Sequence, residues 1–325
     1  MPVMNMVQAL NQALREEMRR DPRVVVLGED VGRRGGVFLV TEGLIDEFGE
    51  WRVIDTPLTE MGIIGVAIGM AMYGLRPVAE IQFIDFVYEA MDQIISNMAK
   101  IRFRSAGMYK VPMVLRSPCC GGMKGGMHHS QSPESYFMHT AGLYVVMPSR
   151  PYDAKGLLKA SIRVDDPVIF LEPKSVYRTI REEVPEEDYT IPLGKARLVR
   201  EGSDVTVVTW GAMVYQALEA AKVIEGRKGW SLEVIDLRSL MPWDRDMVVE
   251  SLEKTERLVI VHEAPKTMGP AAEIASYIAE NHVELLRAPI ARVASYDTPF
   301  PLAWEKLYMP NVAKIYKAVE KVMSY

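Results

Sequence analysis

"DTPLTEMGIIGVAIGMAMYGLRPVAEIQF", residues 55–83, contains the signals that decide the fold. A short apolar strand, Arg52–Asp55, leads to Thr59, which is a good N-cap for the helix that follows. This helix is apolar on all sides and rich in Gly and Ala, so we expect it to be buried and tightly packed. A second apolar strand, Arg76–Phe83, comes after it. The stretch therefore predicts one strand–helix–strand unit of a parallel sheet.

The same alternation of strands and helices continues along the chain. Further strands are predicted at Arg23–Gly28, Pro112–Ser117, Leu143–Met147, Pro167–Glu172, Asp204–Trp210, Leu232–Leu237, Leu258–His262 and Ile290–Ala294. Helices are predicted at the N-terminus, at Asp85–Ser105, at Tyr152–Val164, and from Met213, Asp244, Gly269 and Glu305. Residues 182–192, EEVPEEDYTIP, are typical of a linker. We predict an α/β fold with mainly parallel sheets in two domains, residues 1–185 and 190–325.

Composition and charge exclude several classes of protein. The net charge of −5 comes without any basic stripe, so nucleic acid is not an expected partner. The only two cysteines, Cys119 and Cys120, are adjacent, which excludes a disulfide framework and favours a reducing, intracellular setting. No uninterrupted apolar run reaches the roughly 20 residues of a membrane helix. With no signal or transit peptide visible, a cytoplasmic location is expected.

Candidate ligand-binding residues lie where strands end, as is typical of α/β sheets. Glu60 opens the apolar helix, where a carboxylate can share a proton with a ligand nitrogen or simply be favoured by the helix dipole. Strand alternation would place Glu80, Gln82 and Ile84 on one face. Phe86 follows at a helix start and could stack on a planar ring, although aromatic residues there more often belong to the core.

A third candidate is the loop GGMKGGMHHSQSPE, residues 121–134. Glycine this dense indicates that something approaches the backbone closely. The spacing of His128, His129 and His139 does not favour zinc. A loop histidine is better suited to proton transfer near a substrate, with a merely structural histidine as the alternative. Neither G-x-G-x-x-G nor G-x-x-x-x-G-K-[ST], the phosphate-binding fingerprints, occurs in the chain.

Five segments resemble the beta subunits of thiamine-diphosphate-dependent 2-oxo acid dehydrogenases, and the resemblance covers essentially the whole chain. They are VLGEDVGRRGGVFLVTEGL at 26–44, the opening stretch at 55–83, HHSQSPE at 128–134, EVIDLRSLMPWD at 233–244 and YDTPFP at 296–301. HSQSPE followed by an aromatic residue is most similar to branched-chain members. The resemblance implies a transketolase-type pyrimidine-binding domain followed by a transketolase C-terminal domain.

The resemblance also implies roles for the candidate residues. Glu60 would contact the ring nitrogen of the aminopyrimidine, Phe86 would pack on that ring, and Gln82 would line the same pocket. His129, rather than His128, would bind the substrate carboxylate or steer protons during reductive acylation of a lipoyl group. Glu60 and His129 are therefore the expected catalytic residues.

The family further implies partners and ions. An alpha subunit would hold the diphosphate through Mg²⁺ in an α2β2 tetramer, since its Gly-Asp-Gly…Asn motif is missing here. The acyl unit would pass to the lipoyl domain of a dihydrolipoyl acyltransferase core. A structural potassium ion is also implied, although Val164 stands where relatives often have Asp. Its expected ligands, mainly backbone carbonyls, are Val111, Met113, Val114, Ser161, Val164 and Asp166.

The predicted function is oxidative decarboxylation of branched-chain 2-oxo acids, by an enzyme active only with its alpha subunit. The alternatives within the family are pyruvate or acetoin dehydrogenase beta subunits. A non-catalytic scaffold that binds the acyltransferase core is an alternative of another class. A self-sufficient transketolase-like enzyme is disfavoured by the missing diphosphate motif.

Overall fold

The computed structural model describes all 325 residues, and the chain divides into two compact units. Unit 1 comprises Met1–Cys119 with Tyr136–Leu193, and unit 2 comprises Cys120–Ser135 with Gly194–Tyr325. The segment Cys120–Ser135 therefore belongs to unit 2, although the chain on both sides of it builds unit 1. The predicted domain bounds, 1–185 and 190–325, assign this segment to the first domain instead. None of the helices is long and apolar enough to cross a membrane.

Unit 1 is built on a parallel sheet. Its strands are β1 (Val3–Met4), β2 (Val24–Gly28), β3 (Val53–Asp55), β4 (Arg76–Glu80), β5 (Val114–Cys119), β6 (Tyr144–Val146), β7 (Val168–Pro173) and β8 (Glu182–Glu183). Six of them lie in the order β6-β7-β5-β4-β2-β3, and every neighbouring pair is parallel. β1 and β8 form a separate antiparallel pair. This parallel sheet confirms the predicted α/β class. Its strands are continuously apolar because such a sheet is covered on both faces.

The helices up to residue 176 include one segment that differs from the predicted helix. The α-helices are α1 (Met6–Arg20), α2 (Leu44–Phe48), α3 (Glu60–Met72), α4 (Ile101–Arg104), α5 (Glu134–Met138) and α6 (Pro151–Arg163). The 3₁₀ helices are Ile84–Ala90 and Lys174–Val176, and Gln93–Met98 is π-helical. The predicted single helix Asp85–Ser105 is wrong, since this segment consists of three short pieces. Ser96 and Asn97, both weak helix formers, lie in the π-helical piece that interrupts it.

A fully buried ion cluster joins three central strands of unit 1. Arg116 on β5 donates from Nε and Nη2 to the two carboxylate oxygens of Glu172 on β7, at 2.7 and 2.6 Å, and from Nη1 to Glu80 on β4. The hydroxyl of Tyr177 also donates to Glu172. Burial is the largest single influence and lowers the pKa of Arg116, but the charge and hydrogen bonds of Glu172 and the contribution of Tyr177 together outweigh it, so the pKa is raised. Since Glu80 is the last residue of β4, the cluster stiffens the carboxyl edge of the sheet.

Unit 2 has its own sheet and helices. Its strands are β9 (Arg197–Arg200), β10 (Val205–Thr209), β11 (Leu232–Asp236), β12 (Ser239–Met241), β13 (Leu258–Pro265) and β14 (Ala291–Ser295). Its helices are α7 (Met213–Lys228), α8 (Arg245–Thr255), α9 (Pro270–Asn281), α10 (Glu305–Tyr308), α11 (Val312–Met323) and a 3₁₀ turn, Val283–Leu285. Five strands lie in the order β14-β13-β10-β11-β9, parallel except for β9 against β11. Sequence alternation missed β9, whose RLVR sequence has only two apolar residues.

Candidate functional site

Glu60 is the first residue of α3, directly after the loop that leaves β3. The hydroxyl of Thr59 accepts the backbone N–H of Gly62 at 3.3 Å, so the predicted N-cap is confirmed. Glu60 is only 8% exposed, yet its carboxylate receives no hydrogen bond within the chain. The hydroxyl of Thr56 is buried without a hydrogen-bond partner as well. These two uncommitted polar groups fit a site that is completed by a ligand.

A second carboxylate lies next to Glu60. The pKa of Glu29 is raised by burial first, and then by the negative charges of Asp30 and Glu60. A carboxyl group whose charged form is disfavoured by burial and by neighbouring negative charge is common at functional sites. Glu29 is not among the residues predicted from the sequence. Because it directly follows β2, the strand-end rule that selected Glu60 would also have selected it.

Phe86 belongs to a row of aromatic side chains close to α3. It lies half-buried in the 3₁₀ helix Ile84–Ala90, which packs against α3. Its ring contacts Phe83 edge to face at 5.8 Å between centroids, and Phe83 contacts Phe38 at 5.6 Å. Phe38 in turn contacts Tyr177 at 5.2 Å, which connects the row to the buried ion cluster. The ring of Phe86 is therefore held on one side by the ring of Phe83.

The predicted shared face of Glu80, Gln82 and Ile84 is wrong, because β4 ends at Glu80. The N–H of Ile81 still reaches the carbonyl of Arg116 at 3.1 Å, but Gln82 already lies in a bend and Ile84 is in the 3₁₀ helix. Glu80 is committed to Arg116. Gln82 remains half-buried beside the row that contains Phe86, and its role in lining a pocket stays a prediction.

The glycine-rich loop folds as part of unit 2. The N–H of Cys120 donates to the carbonyl of Gln131 at 2.9 Å, which closes the loop at its base. Within it, the side chain of Gln131 donates to the carbonyl of Met127 at 2.8 Å. His129 is half-buried, whereas His128 is exposed. The greater burial of His129 favours it over His128 as the histidine with a fixed position.

A buried group of three side chains, Glu134, Trp210 and His262, lies at the C-terminal end of this loop. Glu134 accepts a hydrogen bond from the indole N–H of Trp210 at 3.3 Å, and burial raises its pKa. The ring of Trp210 stacks on His262, with 5.4 Å between centroids and 4° between planes. Burial, followed by the charge of Arg292, lowers the pKa of His262 to about 3, so this imidazole is uncharged at neutral pH. Neither Trp210 nor His262 was predicted from the sequence to be a neighbour of the loop.

The structure also describes the residues expected to bind a metal ion. No group of three or more His, Cys, Asp or Glu side chains is arranged to hold a metal ion. In the set expected for potassium, the carbonyl of Val164 accepts from Arg76 at 3.0 Å and the carboxylate of Asp166 pairs with Arg102. Two guanidinium groups thus already supply positive charge to these ligands, an arrangement that does not favour a further cation.

Comparison with known families identifies both halves of the chain. Residues 3–179 match the family described as the transketolase pyrimidine binding domain, and residues 194–315 match the transketolase C-terminal domain. A solved structure described as a split-gene transketolase, inactive beta4 tetramer, superimposes with a TM-score of 0.81 over 99% of this chain and 98% of that one. Its sequence is 23% identical, so this likeness supports the fold alone.

Curated relatives are more similar in sequence. The chain is 54% identical to the mitochondrial 2-oxoisovalerate dehydrogenase subunit beta of Dictyostelium discoideum, over 99% of this chain and 87% of that protein. It is 49% identical to 2-oxoisovalerate dehydrogenase subunit beta of Bacillus subtilis, with full coverage of both chains. The pyruvate dehydrogenase E1 component subunit beta of Staphylococcus epidermidis is also 49% identical, again with full coverage.

Proposed function

The chain belongs to the family of 2-oxo acid dehydrogenase beta subunits, and from this premise we propose that it is the beta subunit of a branched-chain 2-oxo acid dehydrogenase. The reaction is oxidative decarboxylation of the 2-oxo acids of Leu, Ile and Val, with reductive acylation of a lipoyl-lysine on an acyltransferase core. The similarity to two 2-oxoisovalerate dehydrogenase subunits supports this substrate class. A pyruvate or acetoin dehydrogenase is the second candidate, supported by the relative from Staphylococcus epidermidis.

The observation that carries the proposal is the uncommitted carboxylate of Glu60 at the start of a buried helix. Thiamine diphosphate, when bound, supplies the carbanion chemistry of the reaction. Glu60 exchanges a proton with a weakly basic nitrogen of the pyrimidine ring, which a carboxylate does and an amide does not. Phe86 offers its ring face to the pyrimidine, and Gln82 lines the same pocket. Mg²⁺ and the diphosphate are held by the alpha subunit.

His129 acts on the substrate. Its imidazole binds the substrate carboxylate or moves a proton while the acyl unit passes to the lipoyl group. A glycine-rich loop suits this task, because a large substrate such as a lipoyl arm must approach the backbone closely. The half-buried position of His129 limits the orientations of its ring and so favours a defined proton path.

The alpha subunit implied by the family has a candidate contact surface on α3. The prediction that this helix is buried on all sides is wrong for the chain alone, because Met61 and Val66 are 52% and 53% exposed. Tyr73, directly after the helix, is 93% exposed. Obligate interfaces resemble the cores of domains, so an all-apolar helix with one exposed face is typical of an element buried by assembly. We propose that this face packs against the alpha subunit in an α2β2 tetramer.

Gly69 allows this face to be tested. A side chain at Gly69 would meet no atom of the chain within 4 Å, so Gly69→Leu should leave folding intact and raise helix propensity by less than about 1 kcal/mol. In the assembly the same side chain would hold the two surfaces apart. We expect co-purification with the alpha subunit to fall at least tenfold, measured by affinity capture and size-exclusion chromatography.

Gly226 in α7 provides the matched control, since it is also exposed and also has open space around it. Gly226→Leu should assemble like the natural chain. Normal assembly of Gly69→Leu would place the alpha subunit on another surface.

Co-expression tests the proposed function directly. The chain is produced alone and with its alpha subunit, and decarboxylation of 3-methyl-2-oxobutanoate is assayed with thiamine diphosphate and Mg²⁺. We expect activity only from the pair, and a higher kcat/KM for branched-chain substrates than for pyruvate. Because an apolar pocket discriminates one methylene by only about 1–3 kcal/mol, some turnover of pyruvate is expected too. A strong preference for pyruvate would move the assignment to the second candidate.

A further inference from the structure

Two buried carboxylates of unit 2 receive the backbone of the glycine-rich loop. Glu305, the first residue of α10, accepts the N–H of Gly122 and the N–H of Lys124, the latter at 2.9 Å. Glu263 on β13 accepts the N–H of Gly121 at 2.9 Å. Glu305 and Glu263 are 7% and 6% exposed. Charge-assisted bonds of this kind in a buried setting are strong, so the segment 121–124 is held firmly.

The loop backbone is shaped to surround an anion. Gly122 and Lys124 both have positive φ, at 94° and 56°, which turns their N–H groups toward the same carboxylate. Converging backbone amides of this kind form an anion-binding concavity. Here the anion is a side chain of the same chain, Glu305. A left-handed conformation is unfavourable for lysine, so the bond to Glu305 helps to hold Lys124 in it.

The held segment lies directly against His129. A Cβ atom built on Gly125 would lie 2.8 Å from the carbonyl oxygen of His129, 2.9 Å from its Cβ and 3.0 Å from the hydroxyl of Ser130. Gly125 therefore packs on the backbone of His129 at a distance that only glycine permits. Because Gly125 follows Lys124 in the chain, a shift of the segment bound to Glu305 also shifts His129.

We propose that Glu305 is a positioning residue that holds the loop segment 122–124 and, through Gly125, sets the place of His129. This inference rests on the proposed function, in which His129 meets the substrate. It adds that Glu305 of unit 2 aligns this histidine. Glu263 fixes the start of the same segment, and the contact between Cys120 and Gln131 fixes its base. Misplacing a reacting group by about 1 Å can cost on the order of 100-fold in rate.

The kinetic test uses the assembly with its alpha subunit. Glu305→Ala should lower kcat for acyl transfer to the lipoyl domain by roughly 10- to 100-fold. Glu305→Gln retains one acceptor oxygen and should lie between Glu305→Ala and the natural chain. Glu284→Ala, which removes an exposed carboxylate of the same unit, is the control and should be neutral.

Two further kinetic results separate positioning from a general loss of structure. In a His129→Ala background, Glu305→Ala should add little, because a residue that acts through His129 has nothing left to position. Acetate or formate should restore part of the activity of Glu305→Ala by filling the vacated concavity, and should not restore His129→Ala. Additive losses in the double variant, without any rescue, would overturn the proposal.

Limited trypsin digestion provides a readout that does not depend on activity. Lys124 is the only Lys or Arg between Arg116 and Arg150, so cleavage within the loop gives the fragments 1–124 and 125–325. Cleavage at Lys124 should be at least tenfold faster in Glu305→Ala than in the natural chain or in Glu284→Ala, and slower again with acetate. Equal protection in all variants would show that Glu305 does not hold the loop. If the natural assembly proves inactive on 2-oxo acids, the proposed function fails, and the digestion still decides the role of Glu305.

Discussion

Replacing Glu60 by Gln should lower kcat of the assembled enzyme by about 10²- to 10⁴-fold, the range that a positioned acid–base group contributes. The amide has the shape of the carboxylate but does not exchange a proton with a ring nitrogen. Since the Glu60 carboxylate receives no hydrogen bond within the chain, the substitution should cost little stability, about 0.3–1 kcal/mol from the helix dipole. Initial rates at saturating substrate and cofactor are the measurement.

The control for Glu60→Gln is Glu89→Gln, which changes an exposed carboxylate of the same unit. Calorimetric titration with thiamine diphosphate separates weakened cofactor binding from lost catalysis. Unchanged turnover in Glu60→Gln would favour the alternative of a scaffold that only binds the acyltransferase core. It would also remove the reason for assigning any proton transfer to α3.

The second large effect concerns stability. Arg116→Met should lower the free energy of unfolding by about 3–5 kcal/mol, because it leaves the carboxylates of Glu80 and Glu172 buried without their partner. Methionine is of comparable length and fills much of the space, so the loss is mainly electrostatic. Urea denaturation followed by circular dichroism measures it.

Two comparisons make the Arg116 result specific. Arg33→Met removes an ion pair with Glu50 whose partners are 82% and 74% exposed, and it should cost no more than about 1 kcal/mol. Changing Glu80 and Glu172 to Gln together with Arg116→Met should recover part of the loss, since no unpaired charge remains. A loss under about 1 kcal/mol for Arg116→Met alone would mean that water reaches these carboxylates.

Local signals predicted the start of α3 and the place of Glu60 well. A cap hydrogen bond and a first helical turn involve residues three apart, and these are visible in the sequence around Thr59. The alternation of apolar strands with helices likewise predicted the parallel sheets, because each strand of such a sheet is buried on both faces. The same local reasoning extended β4 three residues too far, to Phe83, since nothing in the sequence shows where hydrogen bonding to β5 stops.

Long-range features could not be predicted. The exposed face of α3 has the composition of a core, and a sequence pattern does not distinguish burial in a fold from burial in an assembly. The partners of the glycine-rich loop, Glu263 and Glu305, lie 142 and 183 residues away from the amides they bind. No spacing rule joins such distant positions. The pairing of Arg116 with Glu80 and Glu172 likewise depends on which strands become neighbours.

During synthesis on the ribosome, the segment Cys120–Ser135 is completed long before the rest of unit 2. The loop with His129 emerges well before Glu305, which follows Gly122 by 183 residues. At roughly 5–20 residues per second this is a wait of about 10–40 s. During that time the nascent chain can assemble the strands of unit 1 while the loop still lacks the carboxylate of Glu305. A chain that ends before Glu305 therefore lacks the carboxylate that binds the N–H groups of Gly122 and Lys124.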